Sequence, residues 1–194
     1  KMQNIFKDTF FIKGVLNIKK APVDDGFEFV LAGRSNAGKS SALNCLTKNK
    51  KLARTGKTPG RTTEINFFRV NDEIKLVDLP GYGFSKMSVD RKKNLNILLD
   101  KYFSTRKSLC AAIIFMDIRH PLKDSDIQMM EFCKKYDVPF ISVLTKSDKL
   151  NSSAISKSAR DVEEKLDSLS VIVTSAKNDD GFDKLAKKIL EFLK

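Results

Sequence analysis

A single histidine, His120, stands in the 194 residues, and the three cysteines, Cys45, Cys110 and Cys133, lie far apart. The scarcity of histidine excludes a histidine-based metal cluster. The cysteines match no metal-ligand spacing, and their odd number points to free buried thiols in a reducing cytosol rather than to a disulfide framework. Long hydrophobic runs are missing as well: the longest, Leu109 to Met116, spans eight residues and stops at Asp117, against the roughly 20 that a bilayer requires. Lys7, Asp8 and Lys13 interrupt the apolar start, and no cysteine lies near either end, so neither a signal peptide nor a lipid anchor is expected. The chain also has no internal repeat and no low-complexity tract. Acidic residues are in short supply, 24 against 36 Lys and Arg, for a formal charge of +12. That excess predicts a polyanionic partner, RNA rather than DNA or membrane. The expected location is the cytoplasm.

What the chain does have is an alternation of apolar runs with amphipathic segments. Residues 27–32, 65–70, 74–78, 110–117, 139–145 and 170–174 read as strands. Asp124 is placed to cap a helix burying Ile127, Met130 and Cys133, while Phe182, Leu185, Ala186, Ile189, Leu190 and Leu193 form a helical stripe. Strands alternating with helices predict an α/β fold, a doubly wound and mainly parallel six-stranded sheet with helices on both faces. Asn71-Asp72 looks like a hairpin turn, which makes 65–70 an antiparallel edge strand. The length suits one domain over 1–194, with 1–26 packed on it either as one more strand or as an arm. In such sheets ligands bind beyond the carboxyl ends of the strands.

Directly after the run 27–32 comes Gly33-Arg34-Ser35-Asn36-Ala37-Gly38-Lys39-Ser40, the spacing Gly-x-x-x-x-Gly-Lys-Ser. A strand leading into a glycine-rich loop and then a helix aims successive N–H groups and the positive helix end at one anion. Lys39 reaches the β- and γ-phosphates in such a cradle, and Ser40 offers its hydroxyl to Mg2+. A plain glycine turn carrying Lys-Ser is the competing reading, and the flanking strand and helix count against it.

Strand 74–78 ends in Asp78, followed by Leu79-Pro80-Gly81, an Asp-x-x-Gly arrangement. Asp78 in this place holds a metal-bound water, and the Gly81 N–H senses the γ-phosphate. Taken alone, a strand ending in Asp before a Pro-Gly turn is common. Thr145-Lys146-Ser147-Asp148 follows another strand, and a carboxylate there accepts from N1–H and the 2-amino group of guanine, which adenine cannot offer. One charge-assisted bond of ~1.5–3 kcal/mol already discriminates by roughly one to two orders of magnitude. Lys146 lays its stem along the base, and Thr174-Ser175-Ala176 offers a backbone N–H at Ala176 to guanine O6; each piece in isolation also reads as a solvated turn. Between these motifs, the polar stretch Gly60, Arg61, Thr62, Thr63 and Glu64 supplies a threonine for magnesium and the γ-phosphate. Thr62 is the first choice and Thr63 the second.

With these segments in order, the chain resembles the Era-like GTPases of the TRAFAC class, and most closely the EngB (YihA/YsxC) family. The matching residues are Gly33 to Ser40, Gly60-Arg61-Thr62 with Ile65-Asn66-Phe67-Phe68, Asp78-Leu79-Pro80-Gly81-Tyr82-Gly83, Asp117-Ile118-Arg119-His120-Pro121-Leu122, Thr145 to Asp148 and Thr174 to Ala176. Similarity runs over about residues 5 to 192. The resemblance implies a P-loop GTPase domain, GTP as substrate, Mg2+, action on the large ribosomal subunit precursor as a monomer, and a link to cell division and septation. It also implies K+ at Asn36, for which a loop-stabilising asparagine is the equal alternative. Arg119 and His120 carry no assigned chemistry.

The expected site follows. Lys39, Thr62 and Gly81 act in catalysis, and Ser40, Thr62 and Asp78 serve the metal. Nucleotide contacts extend over Gly33 to Ser40, Ser41, Gly60 to Glu64, Asp78, Leu79, Pro80, Gly81, Thr145 to Asp148 and Thr174 to Ala176. Tyr82 occupies the position where many small GTPases carry a water-orienting glutamine, which predicts slow intrinsic hydrolysis. The basic residues Lys48, Lys50, Lys51, Arg54, Lys57 and Arg61 form a candidate RNA face beside the switch loop. Three other readings compete: a P-loop kinase, a guanine-nucleotide module without turnover, and a membrane-linked switch.

Overall fold

The computed structural model describes residues 4–53, 64–83, 87–166 and 170–194. Its centre is a sheet built from β1 (Phe10–Val15), β2 (Phe27–Gly33), β3 (Ile65–Arg69), β4 (Ile74–Asp78), β5 (Leu109–Asp117), β6 (Phe140–Thr145) and β7 (Ile172–Val173), in the order β1-β3-β4-β2-β5-β6-β7. Strands β4, β2, β5, β6 and β7 run parallel, whereas β1 and β3 pair antiparallel. The helices are α1 (Lys39–Leu46), α2 (Val89–Thr105), α3 (Asp124–Lys135), α4 (Ser152–Leu166) and α5 (Phe182–Glu191).

The continuous apolar character of the central strands follows from burial on both faces. Phe29 and Leu31 of β2, with Ala111, Ile113 and Phe115 of β5, face α1 and α5, where Leu43, Leu185 and Ile189 fill the layer. Val30, Ala32, Ala112, Ile114 and Met116 face the other way, onto Leu98 and Tyr102 of α2, Met130 and Cys133 of α3 and Val162 of α4. The expected C-terminal stripe is thus realised, with Phe182, Leu185 and Ile189 buried and Ala186, Leu190 and Leu193 packed beside them.

Three expectations need correction. The sheet has seven strands, not six, because residues 10–15 add β1 outside β3. Residues 65–70 are therefore an interior strand, although the hairpin at Asn71 stands: its side chain accepts from the N–H groups of Glu73 and Ile74, both at 2.9 Å. An irregularity between Phe11 and Lys13 breaks the register with β3, so the period-2 signal of this strand is lost in the sequence. At α3 the capping carboxylate is Asp126 rather than Asp124. Its Oδ2 accepts from the Lys123 N–H at 3.0 Å, while Asp124 is the first helical residue.

Candidate functional site

The described segments singled out for nucleotide chemistry lie at the carboxyl end of the parallel strands. Gly33 ends β2, and a Cβ there would stand 3.0 Å from the Phe115 carbonyl oxygen, so only glycine lets the chain turn away beside β5. Asn36 and Gly38 are left-handed, with φ of 63° and 86°. Those two kinks fold residues 34–38 into a loop that opens α1 at Lys39, the shape that concentrates N–H donors on an anion. Ser40 and Ser41 occupy the first turn of α1.

The Asp-x-x-Gly segment is sewn to this loop. Leu79 N–H donates to Leu31 O at 3.0 Å, Tyr82 N–H to Gly33 O at 3.1 Å, and Ser35 N–H to Tyr82 O at 3.0 Å. A Cβ at Gly81 would stand 3.3 Å from Ser35 N, which places this glycine against the phosphate loop. The Lys39 ammonium is paired with the Asp78 carboxylate and donates to Leu79 O at 2.8 Å. Lysine and carboxylate are thus gathered at one point, with Ser40 next to Lys39 in the first turn of α1. Among the described residues no cluster of three or more His, Cys, Asp or Glu side chains could hold a metal. That donor set fits Mg2+, which is commonly held by one or two carboxylates with waters and substrate phosphates, and Ser40 and Asp78 are the residues that would hold it.

The base-reading loops brace one another. Thr145 Oγ1 lies 2.5 Å from Ala37 O and 3.2 Å from Met116 O, backing the phosphate loop where a Cβ at Gly38 would meet its side chain at 3.3 Å. Lys146, with φ of 61°, carries its ammonium across the loop to Asn36 O at 2.6 Å and to within 3.5 Å of Asp117. Ser147 N–H donates to Thr174 O at 3.1 Å, and Ser175 Oγ donates to Asp148 Oδ1 at 2.8 Å, holding the carboxylate in place. Ala176 follows directly, half-buried. The predicted Gly60, Arg61, Thr62 and Thr63, together with Arg54 and Lys57, lie outside the described residues; Glu64 is half-buried just before β3.

Sequence reasoning missed a polar group behind the loop. The Tyr82 hydroxyl donates to Asp126 Oδ1 at 2.7 Å. Burial pushes the Asp126 carboxyl above its ordinary pKa, and burial together with that carboxylate pushes the Tyr82 phenol far up, so Tyr82 stays protonated. Tyr82 therefore points at α3. A signal existed: Asp126 shares the i, i+4, i+7 stripe of Met130 and Cys133, where an acid needs a partner.

The comparisons with known proteins agree with this geometry. Residues 28–146 match the family profile described as 50S ribosome-binding GTPase. A relative from Mannheimia succiniciproducens, named "Probable GTP-binding protein EngB", is 47% identical over 188 residues, 95% of this chain and 92% of its own. One of the same name from Stenotrophomonas maltophilia is 47% identical over 172 residues, 86% of each chain. A crystal structure of a probable GTP-binding protein engB superposes with a TM-score of 0.69 at 26% identity, over 85% of this chain and 97% of that one. Era in complex with MgGDPNP and nucleotides 1506–1542 of 16S ribosomal RNA gives 0.67 at 20% identity, over 87% and 57%, a likeness of fold. With the phosphate loop, the Asp-x-x-Gly segment and the guanine-type loops assembled at one sheet end, the chain belongs to the EngB family of GTP-binding proteins.

Proposed function

We propose that this protein is a slow GTP-hydrolysing switch that acts on the large ribosomal subunit precursor. The observation that carries the nucleotide part is the Asp148 carboxylate held by Ser175 beside the loop that Lys146 spans to reach Asn36. Asp148 accepts from the guanine edge, Lys146 covers the base, and Ala176 offers its N–H to O6. The amides of residues 34–40 and the Lys39 ammonium neutralise the phosphates, with Ser40, Asp78 and Thr62 as metal-side ligands and Gly81 as the γ-phosphate sensor. Mg2+ held there would supply neutralisation of the charge on the phosphates. Water attacks the γ-phosphorus, the bond to the bridging oxygen breaks, and GDP and phosphate leave.

The slow rate is supported by Tyr82, whose hydroxyl is spent on Asp126 rather than on an attacking water. A single-turnover rate above about 1 per second for the protein alone would refute it. Asn36 is exposed, and its side chain makes no hydrogen bond among the described residues. With its left-handed φ of 63°, Asn36 suits a loop-stabilising role as well as a K+ ligand, and hydrolysis in K+ and Na+, with and without Asn36→Ala, decides: equal rates in all four end the K+ idea.

The ribosomal part rests on the +12 charge and the family description. We assign the chain as one GTP-binding unit, monomeric and cytoplasmic, with its link to cell division and septation arising through ribosome supply. Among the described residues no helix is long and apolar enough to cross a membrane. Large ribosomal subunits should co-sediment the protein with a GTP analogue and release it with GDP. Equal sedimentation in both states, or none in either, contradicts the reading.

A further inference from the structure

The outer face of the phosphate loop and the segment joining β5 to α3 enclose a cavity of about 330 Å3. Arg34, Arg119, Lys123 and Lys146 bring four cations to it, against two carboxylates, Asp117 and Asp126. Both acids are already engaged. Asp117 accepts from Arg119 Nε at 3.0 Å and Nη2 at 2.8 Å, with Lys146 at 3.5 Å. Asp126 accepts from the Tyr82 hydroxyl at 2.7 Å and the Lys123 N–H at 3.0 Å.

Among the described residues the remaining cations make no salt bridge. Arg34 Nε is buried with no hydrogen-bond acceptor, and although Arg34 and Lys123 both lie in the field of Asp126, neither the Lys123 ammonium nor the imidazole of His120, which also lines the cavity, makes a side-chain hydrogen bond or salt bridge among the described residues. A buried donor left unpaired is costly, and an anionic oxygen within reach of the guanidinium relieves that cost. His120 and Lys123 are exposed at the surface, so the cavity is accessible to a large ligand.

We propose that this cavity, on the outer face of the loop whose inner face cradles the nucleotide, is a second phosphate site, and that it takes a phosphodiester group of an RNA strand. Arg34 and Lys123 contact the phosphate oxygens, His120 donates or stacks at the rim, and Arg119 acts indirectly by neutralising Asp117. The wall shared with Ser35, Asn36 and Ala37 places the RNA contact directly behind the nucleotide loop. The identification of RNA rests on the ribosomal reading above; the phosphate chemistry does not.

His120 is the sole histidine, so its ring proton signal in an NMR spectrum reports on this cavity alone. Full-length protein saturated with GDP and Mg2+ is titrated with a short oligouridine RNA, and separately with inorganic phosphate at matched ionic strength. RNA should shift the His120 signal saturably, Lys123→Ala should bind about tenfold more weakly, and Lys187→Ala, an exposed lysine on α5, should bind as the parent does. An equal weakening by both variants would mean diffuse charge and overturn the site. So would no shift, a shift with phosphate only, or a shift produced by GDP alone that RNA does not extend. Co-sedimentation separates the two readings. If the His120 signal is silent while the protein still sediments with large subunits, the cavity proposal falls alone; if the parent never sediments, the ribosomal reading falls, whatever the cavity does.

Discussion

Asp148 and Glu28 show two opposite uses of a carboxylate. Asp148 is held by one hydroxyl and keeps an oxygen for a ligand. Asp148→Asn replaces an acceptor with an amide, which should move preference from guanosine to xanthosine nucleotides; undiminished preference for GTP in a competition assay would show the residue is misassigned. Glu28, at the opposite end of β2, is wholly buried. It accepts from the Tyr102 hydroxyl at 2.8 Å and from Arg106 Nε and Nη2 at 2.9 and 2.7 Å, with Lys75 at 3.4 Å. Glu28→Ala leaves Lys75 to Asp25 and Arg106 to Asp24 and the Pro22 carbonyl, but it removes the wholly buried carboxylate between them and should cost about 3 kcal/mol in urea unfolding, with nucleotide affinity of the folded protein unchanged.

Asp117 adds a pH dependence. Burial pushes its carboxyl up, but the bonds from Arg119 outweigh burial and hold it at about 2, below its ordinary 3.8. The folded value is the lower one, so this stabilisation is complete above about pH 4 and is lost as pH falls towards 2. Asp117→Asn should flatten the stability curve over that window, read by denaturant unfolding at stepped pH.

At the scale of elements, the phosphate loop was legible because its geometry depends on residue types that the sequence displays. Gly38 is needed for its positive φ and for the closeness of Thr145. Gly38→Ala strains the backbone by about 1–2 kcal/mol and presses on Thr145, and it should weaken GTP and GDP binding alike. Gly81→Ala, which crowds Ser35 N, should instead weaken GTP more than GDP, and isothermal titration of both nucleotides tells the two effects apart. The interior strands were legible for a similar reason, since burial on both faces leaves unbroken apolar runs such as Ala111 to Met116. Strand β1 was not, because its register break and the exposure of Phe10 and Phe11 erase the period. The Tyr82–Asp126 contact joins residues 44 positions apart: the helical stripe marks Asp126 as an acid in need of a partner, but no local pattern names Tyr82 as that partner.

At the scale of the molecule, the sheet separates two jobs. The ion network around Glu28 clamps the amino ends of the strands, while the nucleotide loops sit at the carboxyl ends. The basic run 48–61 is partly spent on structure, since Lys48 is paired with Asp179 at 2.7 Å.

The central claim is that the loop opening α1 wraps a triphosphate whose base Asp148 reads. Calorimetry of the full chain with Mg2+ tests it most directly: GTP and GDP should bind with measurable heat and survive a large excess of ATP. Absence of heat with guanine nucleotides on folded protein, or equal competition by adenine nucleotides, would contradict it.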